Sequence, residues 1–277
     1  GLRAMATAIW TGGASDGNYS TAANWSTGAV PTTSDNVYFT ADYNADVTAG
    51  LNQSGVTIGT FTVDGYTGKL GSKSGYLQID PGGAVEINST GLSYLDLGNA
   101  NVSVTVTNTA RSSAGNAGLY LLDSNLSTLA LTGGSVGFAL NAGETSTVGI
   151  IKMTGGTLSV GDGGTLSTVT ILGGTMNTSS SVVTLNIYGG LFKSAGSAAM
   201  TTLNGDGGTV THNSTGTITT ANVRGVFLDL NQSLNARTIT TLAPSAGGSI
   251  AYDPNFITIS NRSALTKPVR ESWTDAF

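Results

Sequence analysis

His212 is the chain's single histidine, and there is no cysteine. A metal centre built on imidazole or thiolate therefore lacks a second ligand of that kind, and a thiol nucleophile is excluded. A Ser-His-Asp triad would have to run through His212. That residue sits in Thr211-His-Asn-Ser-Thr215, a stretch expected to be an outward strand or corner, with the imidazole solvated or hydrogen-bonded at the surface. Carboxylates are the second source of chemistry, because a glycosidase needs two of them about 5 to 9.5 Å apart. In a chain that coils on itself, acids about one turn apart would meet: Asp206 with Asp229, Asp80 with Asp96, and Asp123 with Glu144. Isolated surface acids explain each pair equally well. The central repeats offer only Lys152, Lys193, Arg224 and Arg237 as basic partners. Asp162 in Gly161-Asp-Gly-Gly164 and Asp206 in Gly205-Asp-Gly-Gly208 are similar to calcium-binding nonapeptides. Those motifs repeat in tandem, whereas these two aspartates lie 44 residues apart. A lone Asp supplies too few of the six to eight oxygens that Ca²⁺ takes, and Asp beside Gly is a common turn. No catalytic residue, metal ligand or cofactor is expected.

The elements that would position such residues follow from composition and repeats. Charged residues are 10% of the 277, against roughly 25% in ordinary soluble domains, and Gly reaches 40. With 39% hydrophobic residues and a net charge of −5, the chain has the apolar content to fold rather than stay disordered. Glu, Lys and Arg are scarce while Thr and Gly abound, which argues against long helices. No run approaches the 18 apolar residues of a membrane span. The acidic balance argues against nucleic acid as the main partner.

A short element recurs, with an apolar residue before and after a glycine pair: Leu131-Thr-Gly-Gly-Ser-Val136, Met153-Thr-Gly-Gly-Thr-Leu158, Ile171-Leu-Gly-Gly-Thr-Met176 and Ile187-Tyr-Gly-Gly-Leu-Phe192. A fifth copy, Leu203-Asn-Gly-Asp-Gly-Gly-Thr-Val210, is longer. The second glycines are Gly134, Gly156, Gly174, Gly190 and Gly208, in steps of 22, 18, 16 and 18. Outliers sit at Gly82-Gly83 and Gly247-Gly248, and the gap of 40 between Gly208 and Gly248 would hold two turns. Such a period is too short for helix-pair repeats and suits one turn of a solenoid with two or three strands. The segments between alternate, as in Val102-x-Val104-x-Val106 and Leu185-x-Ile187, so one face packs inward and the other outward. Leu, Ile, Val and Met would stack inside, with Thr, Ser and Asn outside. The paired glycines mark corners where φ is positive or a backbone passes too close for a Cβ. The expected fold is all-β, a right-handed parallel β-helix over residues 81–260. A β-sandwich with strands every 8–12 residues is the competing architecture.

Residues 5–80 read as an N-terminal β cap over the first open strand edge, where Trp10, Trp25 and Phe39 would cover apolar surface. Here Trp10-x-Gly12, Asn24-Trp25, Gly28-x-x-Pro31 and Asp35-x-Val37-x-Phe39 resemble a pattern that opens many β-helical surface proteins, among them autotransporter-type passengers and some phage proteins. The resemblance covers about 30 residues; it implies a β-helical fold and a surface role, and it carries no catalytic residue. Residues 1–4 read as an expression scar, and Met5-Ala6-Thr7-Ala8 as a natural beginning without a secretion signal. Residues 261–277 contain no glycine and read as a short C-terminal arm. Arg262, Lys267, Arg270, Trp273 and Phe277 are its candidate interface residues, Trp and Arg being enriched at interface hot spots.

These readings converge on a non-enzymatic structural protein of a virus particle: a phage capsid decoration or cement protein, or a segment of a tail fibre or spike. A homotrimer is expected by analogy with other β-helices, in contact with a larger capsid or tail assembly. The alternatives are a secreted or autotransported adhesin, located outside the cell or on its surface and presenting Thr and Asn rows to carbohydrate, and a polysaccharide-cleaving tailspike. Nucleic-acid binding and membrane insertion are not expected.

Overall fold

A computed structural model describes residues 4–111 and 117–263, and the backbone of 270–273. The chain divides into two compact units, Gly1–Ala139 with Glu144–Thr147, and Leu140–Gly143 with Val148–Phe277. Each unit is a parallel β-solenoid, in which successive strands alternate between two sheets and each coil supplies one strand to each. The first sheet of the N-terminal unit is built from Thr7–Ile9, Asn36–Thr40, Phe61–Tyr66, Val85–Ser89, Val102–Asn108 and Asn125–Leu131. Its second sheet holds Asn52–Ile58, Leu77–Pro81, Ser93–Asp96, Leu119–Leu121 and Ser135–Phe138. In the C-terminal unit the first sheet runs from Ser146–Met153, whose first two residues belong to the other unit, through Gly164–Ile171, Val182–Ile187, Met200–Gly205, Ile218–Val223 and Arg237–Pro244 to Ile257–Arg262. The second sheet there comprises Thr157–Val160, Thr175–Thr178, Leu191–Ser194, Thr209–His212, Phe227–Asp229, Ser249–Tyr252 and Arg270–Trp273. The helical content of the described residues is one 3-10 turn, Ala22–Asn24, and no helix among them is long and apolar enough to cross a membrane.

Alternation becomes stacking in register. Val169 pairs with Leu185, Leu185 with Leu203, Leu203 with Ala221 and Ala221 with Leu242, and all five are buried. Across the core, Leu158, Met176, Phe192, Val210, Leu228 and Ile250 form the row of the second sheet, also buried. Removing each Val, Leu, Ile, Met or Phe side chain of these rows from water is worth about 1.5–3 kcal/mol, and this is the main force that closes each coil.

The unequal repeat steps have a local cause. Three residues separate Ile171 from Thr175, Ile187 from Leu191 and Gly205 from Thr209, so the glycine corner keeps one length over these coils. The opposite corner varies: five residues lie between Val160 and Leu166, but three between Thr178 and Val182. The glycine corner itself changes at Arg224-Gly225-Val226, where Val226 stands in place of the second glycine. Gly205 accommodates it, since a Cβ there would meet Val226 Cγ1 at 2.2 Å.

In the N-terminal segment Trp10 lies 5.3 Å from Trp25, edge to face, and 5.8 Å from Phe39, stacked. Both indole N–H groups are satisfied, Trp10 donating to the Ala45 carbonyl and Trp25 to that of Tyr19. Pro31 is buried. Asp35, 1% exposed, accepts from the Ala6 N–H and from both the N–H and the hydroxyl of Thr32. Parallel stacking starts well before Gly82: Asn36–Thr40 pairs with Phe61–Tyr66, and Asn52–Ile58 with Leu77–Pro81. The segment expected as a cap thus contributes coils of its own beneath the aromatic layer.

At the other end, Arg262 belongs to the strand Ile257–Arg262 and donates to the Tyr252 hydroxyl at 2.8 Å. The backbone of Arg270–Trp273 pairs with Ser249–Tyr252 and adds a strand to the second sheet. Lys267 and Phe277 lie outside the described residues, as do the side chains of Arg270 and Trp273.

Candidate functional site

The sequence expectation for His212 needs correction. The side chain is 1% exposed, not solvated at the surface. It closes Thr209–His212, one coil before the corner loop of residues 230–236 that leads from the second sheet to the first. Arg237, 5% exposed, fastens that loop by donating to the carbonyls of Leu230, Ser233 and Asn235, and to that of His212 itself. Imidazole Nε2 lies 2.7 Å from the Gly216 carbonyl and Nδ1 lies 2.7 Å from the Ser194 hydroxyl. A carbonyl only accepts, so Nε2 carries the proton and Nδ1 accepts from Ser194. Burial first, then the nearby Arg237 charge, pulls the imidazole pKa down to about 4, against the opposing Gly216 hydrogen bond. Both nitrogens are engaged, so this Ser-His contact is a sealed structural network. Sequence reasoning missed it, and Arg237 with it. The available signal was an arginine in the alternating frame of Arg237-x-Ile239.

The expected carboxylate pairs are arranged differently from one another. Asp206 does not stack on Asp229: its neighbour in the next coil is Arg224, whose Nε and Nη2 reach its two oxygens at 2.6 and 2.9 Å. That pairing holds the Asp206 carboxyl below its usual range. Asp229 pairs in register with Thr211 and accepts from the Asn231 N–H and the Gln232 amide. Asp162 lies in a turn and Asp206 in a bend, and among the described residues no group of three or more acids and imidazoles could hold a metal ion.

Asp80, Asp96 and Asp123 do come together, along a groove of about 710 Å³ on the outer face of the second sheet of the N-terminal unit. Gln78, Asn99, Ser54 and Thr145 share its lining, while Glu144 is not part of it. Asp96 pairs in register with Gln78. Burial and the neighbouring Asp123 push the Asp96 carboxyl above its usual range, against the Gly98 N–H bond that favours its charge. Asp80 accepts from the Thr57 hydroxyl. Beside the groove Tyr94 stacks on Tyr120, with centroids 4.9 Å apart and planes within 5°, and Tyr76 meets Tyr94 edge-on at 5.3 Å.

The paired glycines occupy left-handed backbone: φ is +82° at Gly134, +76° at Gly156, +86° at Gly174, +74° at Gly190 and +70° at Gly208. Outside the core, an asparagine ladder ties three coils together. Asn204 donates to Asn186, and Asn222 to Asn204, each at 2.9 Å. The i, i+18 spacing of these asparagines was visible in the sequence once a coil length was assigned. No protein family, curated protein or solved structure matches this chain.

Proposed function

We propose that this chain is a non-enzymatic structural component of a virus particle, a capsid decoration or cement protein or a segment of a tail fibre or spike, and that it works as a homotrimer. One observation carries the reading: the groups able to do chemistry are largely spent on holding coils together. His212 is sealed between Ser194 and Gly216, Asp206 is bound by Arg224, and the asparagines bond to one another. A stack of short neutral side chains on a parallel solenoid makes a stiff surface, which suits clamping or projecting better than turnover. The N-terminal Trp, Asn-Trp and Asp-x-Val-x-Phe pattern resembles that of β-helical surface proteins, and this resemblance supports the same role.

The groove lined by Asp80, Asp96 and Asp123 favours a second reading, a spike that binds or cleaves surface polysaccharide, because one carboxyl is held toward its protonated form beside another. Immunogold labelling of density-purified particles from the source organism separates these from an adhesin. Label on particles is expected; label confined to cell surfaces would overturn the virion role. Release of reducing or unsaturated sugar ends from surface polysaccharide, lost in Asp96→Asn, would overturn the non-enzymatic part.

A further inference from the structure

We infer that the second sheet of the C-terminal unit carries a binding pocket for a carboxylate-bearing sugar, a uronate or sialate unit of an acidic polysaccharide. The inference goes beyond the structural role proposed above and depends on neither the particle nor the trimer. The pocket, about 230 Å³, lies where Thr157–Val160, Thr175–Thr178 and Leu191–Ser194 run out into their corners, and its lining includes Ser159, Asn177, Ser179, Lys193 and Asn213. Ser159, Asn177 and Lys193 stand in register, one per coil, on the outer face. On the first sheet Asn186, Asn204 and Asn222 bond to one another, and at its corner Asp206 holds Arg224. The pocket is different. Among the described residues the side chains of Ser159, Asn177, Ser179 and Lys193 make no hydrogen bond or ion pair, though all four are half-buried. The side-chain oxygen of Asn213 is enclosed at the wall with no donor.

These groups define the ligand. Lys193 is an ammonium with three donors and no carboxylate beside it: the next residues of its row are Thr211 and then Asp229, two coils away and engaged by the Asn231 N–H and the Gln232 amide. One cation calls for one negative charge. The Asn177 amide and the Ser159 and Ser179 hydroxyls both donate and accept, as ring hydroxyls do. Val160, Ala195 and the aliphatic stem of Lys193 supply apolar surface for the C–H face of a sugar ring. An acidic peptide held by its main chain needs a free sheet edge, whereas Thr175–Thr178 and Leu191–Ser194 are each paired on both sides. A phosphate dianion favours a cradle of free backbone N–H groups. At this corner the N–H groups of Ser179, Ala195 and Asn213 are already bonded to carbonyls of the coil before.

Calorimetric titration of the whole chain tests this, at about 0.05 M NaCl, where charge contacts are little screened. The probes are trigalacturonate and, separately, a sialic acid trimer, which tell a uronate from a sialate site. At least one is expected to bind with a Kd of about 1 mM or below. Lys193→Gln should weaken that binding at least about tenfold, while Lys152→Gln, at an exposed site on the first sheet, leaves it unchanged. The methyl ester of the bound trimer keeps every hydroxyl and loses the charge, so it should bind wild type at least about tenfold more weakly. That comparison needs no variant and holds even if Lys193→Gln does not fold. Failure of both acidic trimers to bind, an unchanged Kd in folded Lys193→Gln, or equal binding of the ester overturns the inference. Equal affinity for triglutamate or for inorganic phosphate also overturns it, because the pocket would then select a peptide or a phosphate. None of these results alters the particle labelling, so the two readings fail separately.

Discussion

His212 is where a single proton bears on the stability of this molecule. Its folded-state pKa, about 4, lies below the ordinary value of 6.5, so between these limits the unfolded chain binds a proton that the folded chain refuses. The neutral imidazole is therefore tolerated without penalty above pH 6.5. Stability falls as pH drops from 6.5 toward 4, by roughly 3 kcal/mol for a shift of this size. Thermal or urea melts of the wild type across that window should show the decline, and His212→Gln should flatten it while costing about 1–2 kcal/mol at pH 7.5 through the altered network. Equal pH dependence in the two proteins would remove His212 as the cause. The buried setting behind this behaviour includes an arginine 25 residues downstream, whose guanidinium donates to the His212 carbonyl. Nothing in Thr211-His-Asn-Ser-Thr215 itself distinguishes it from an outward strand.

Among the elements, the corners carry the most specific constraint. At Gly174 φ is +86°, and a Cβ would sit 2.6 Å from the Gly156 carbonyl oxygen of the coil before. Left-handed backbone and close stacking thus coincide at one residue. Gly174→Val should destabilise by at least about 2 kcal/mol. Gly143 has nearly the same φ, +83°, with nothing within 4 Å of its virtual Cβ. Gly143→Asn should therefore stay within about 0.5 kcal/mol, because Asn accepts left-handed backbone. Urea melts of the two variants decide the matter; a loss in Gly174→Val as small as that in Gly143→Asn would mean that neither conformation nor coil contact constrains the corner. These corners were legible because the Gly-Gly spelling and the alternation on either side repeat together. The opposite corner was not, since its length varies and its residues are held by hydrogen bonds to the coil before, such as Ser180 to Gly161, that have no fixed spelling.

At the scale of the whole molecule, stability rests on apolar rows and neutral ladders, with few opposite charges available to pair. Raising NaCl from roughly 0.05 to 1 M, which screens surface ion pairs almost completely, should move Tm by less than about 3 °C. A larger drop would show that ion pairs such as Asp206 with Arg224 carry weight that their exposure argues against.

The amino-acid sequence determined the all-β class, the stacking of coils, the glycine corners, and the inward set of Val, Leu, Ile and Met. These are properties of period and residue type, and a repeating chain states them once per coil. Only the tertiary structure decided that each coil has two strands, that Asp206 meets Arg224 rather than Asp229, that Asp80, Asp96 and Asp123 share a groove, and that His212 is buried between Ser194, Gly216 and Arg237. The physical reason is register. A difference of two residues in one corner shifts which side chains become neighbours in the next coil, and that difference is set by three-dimensional closure rather than by the repeat.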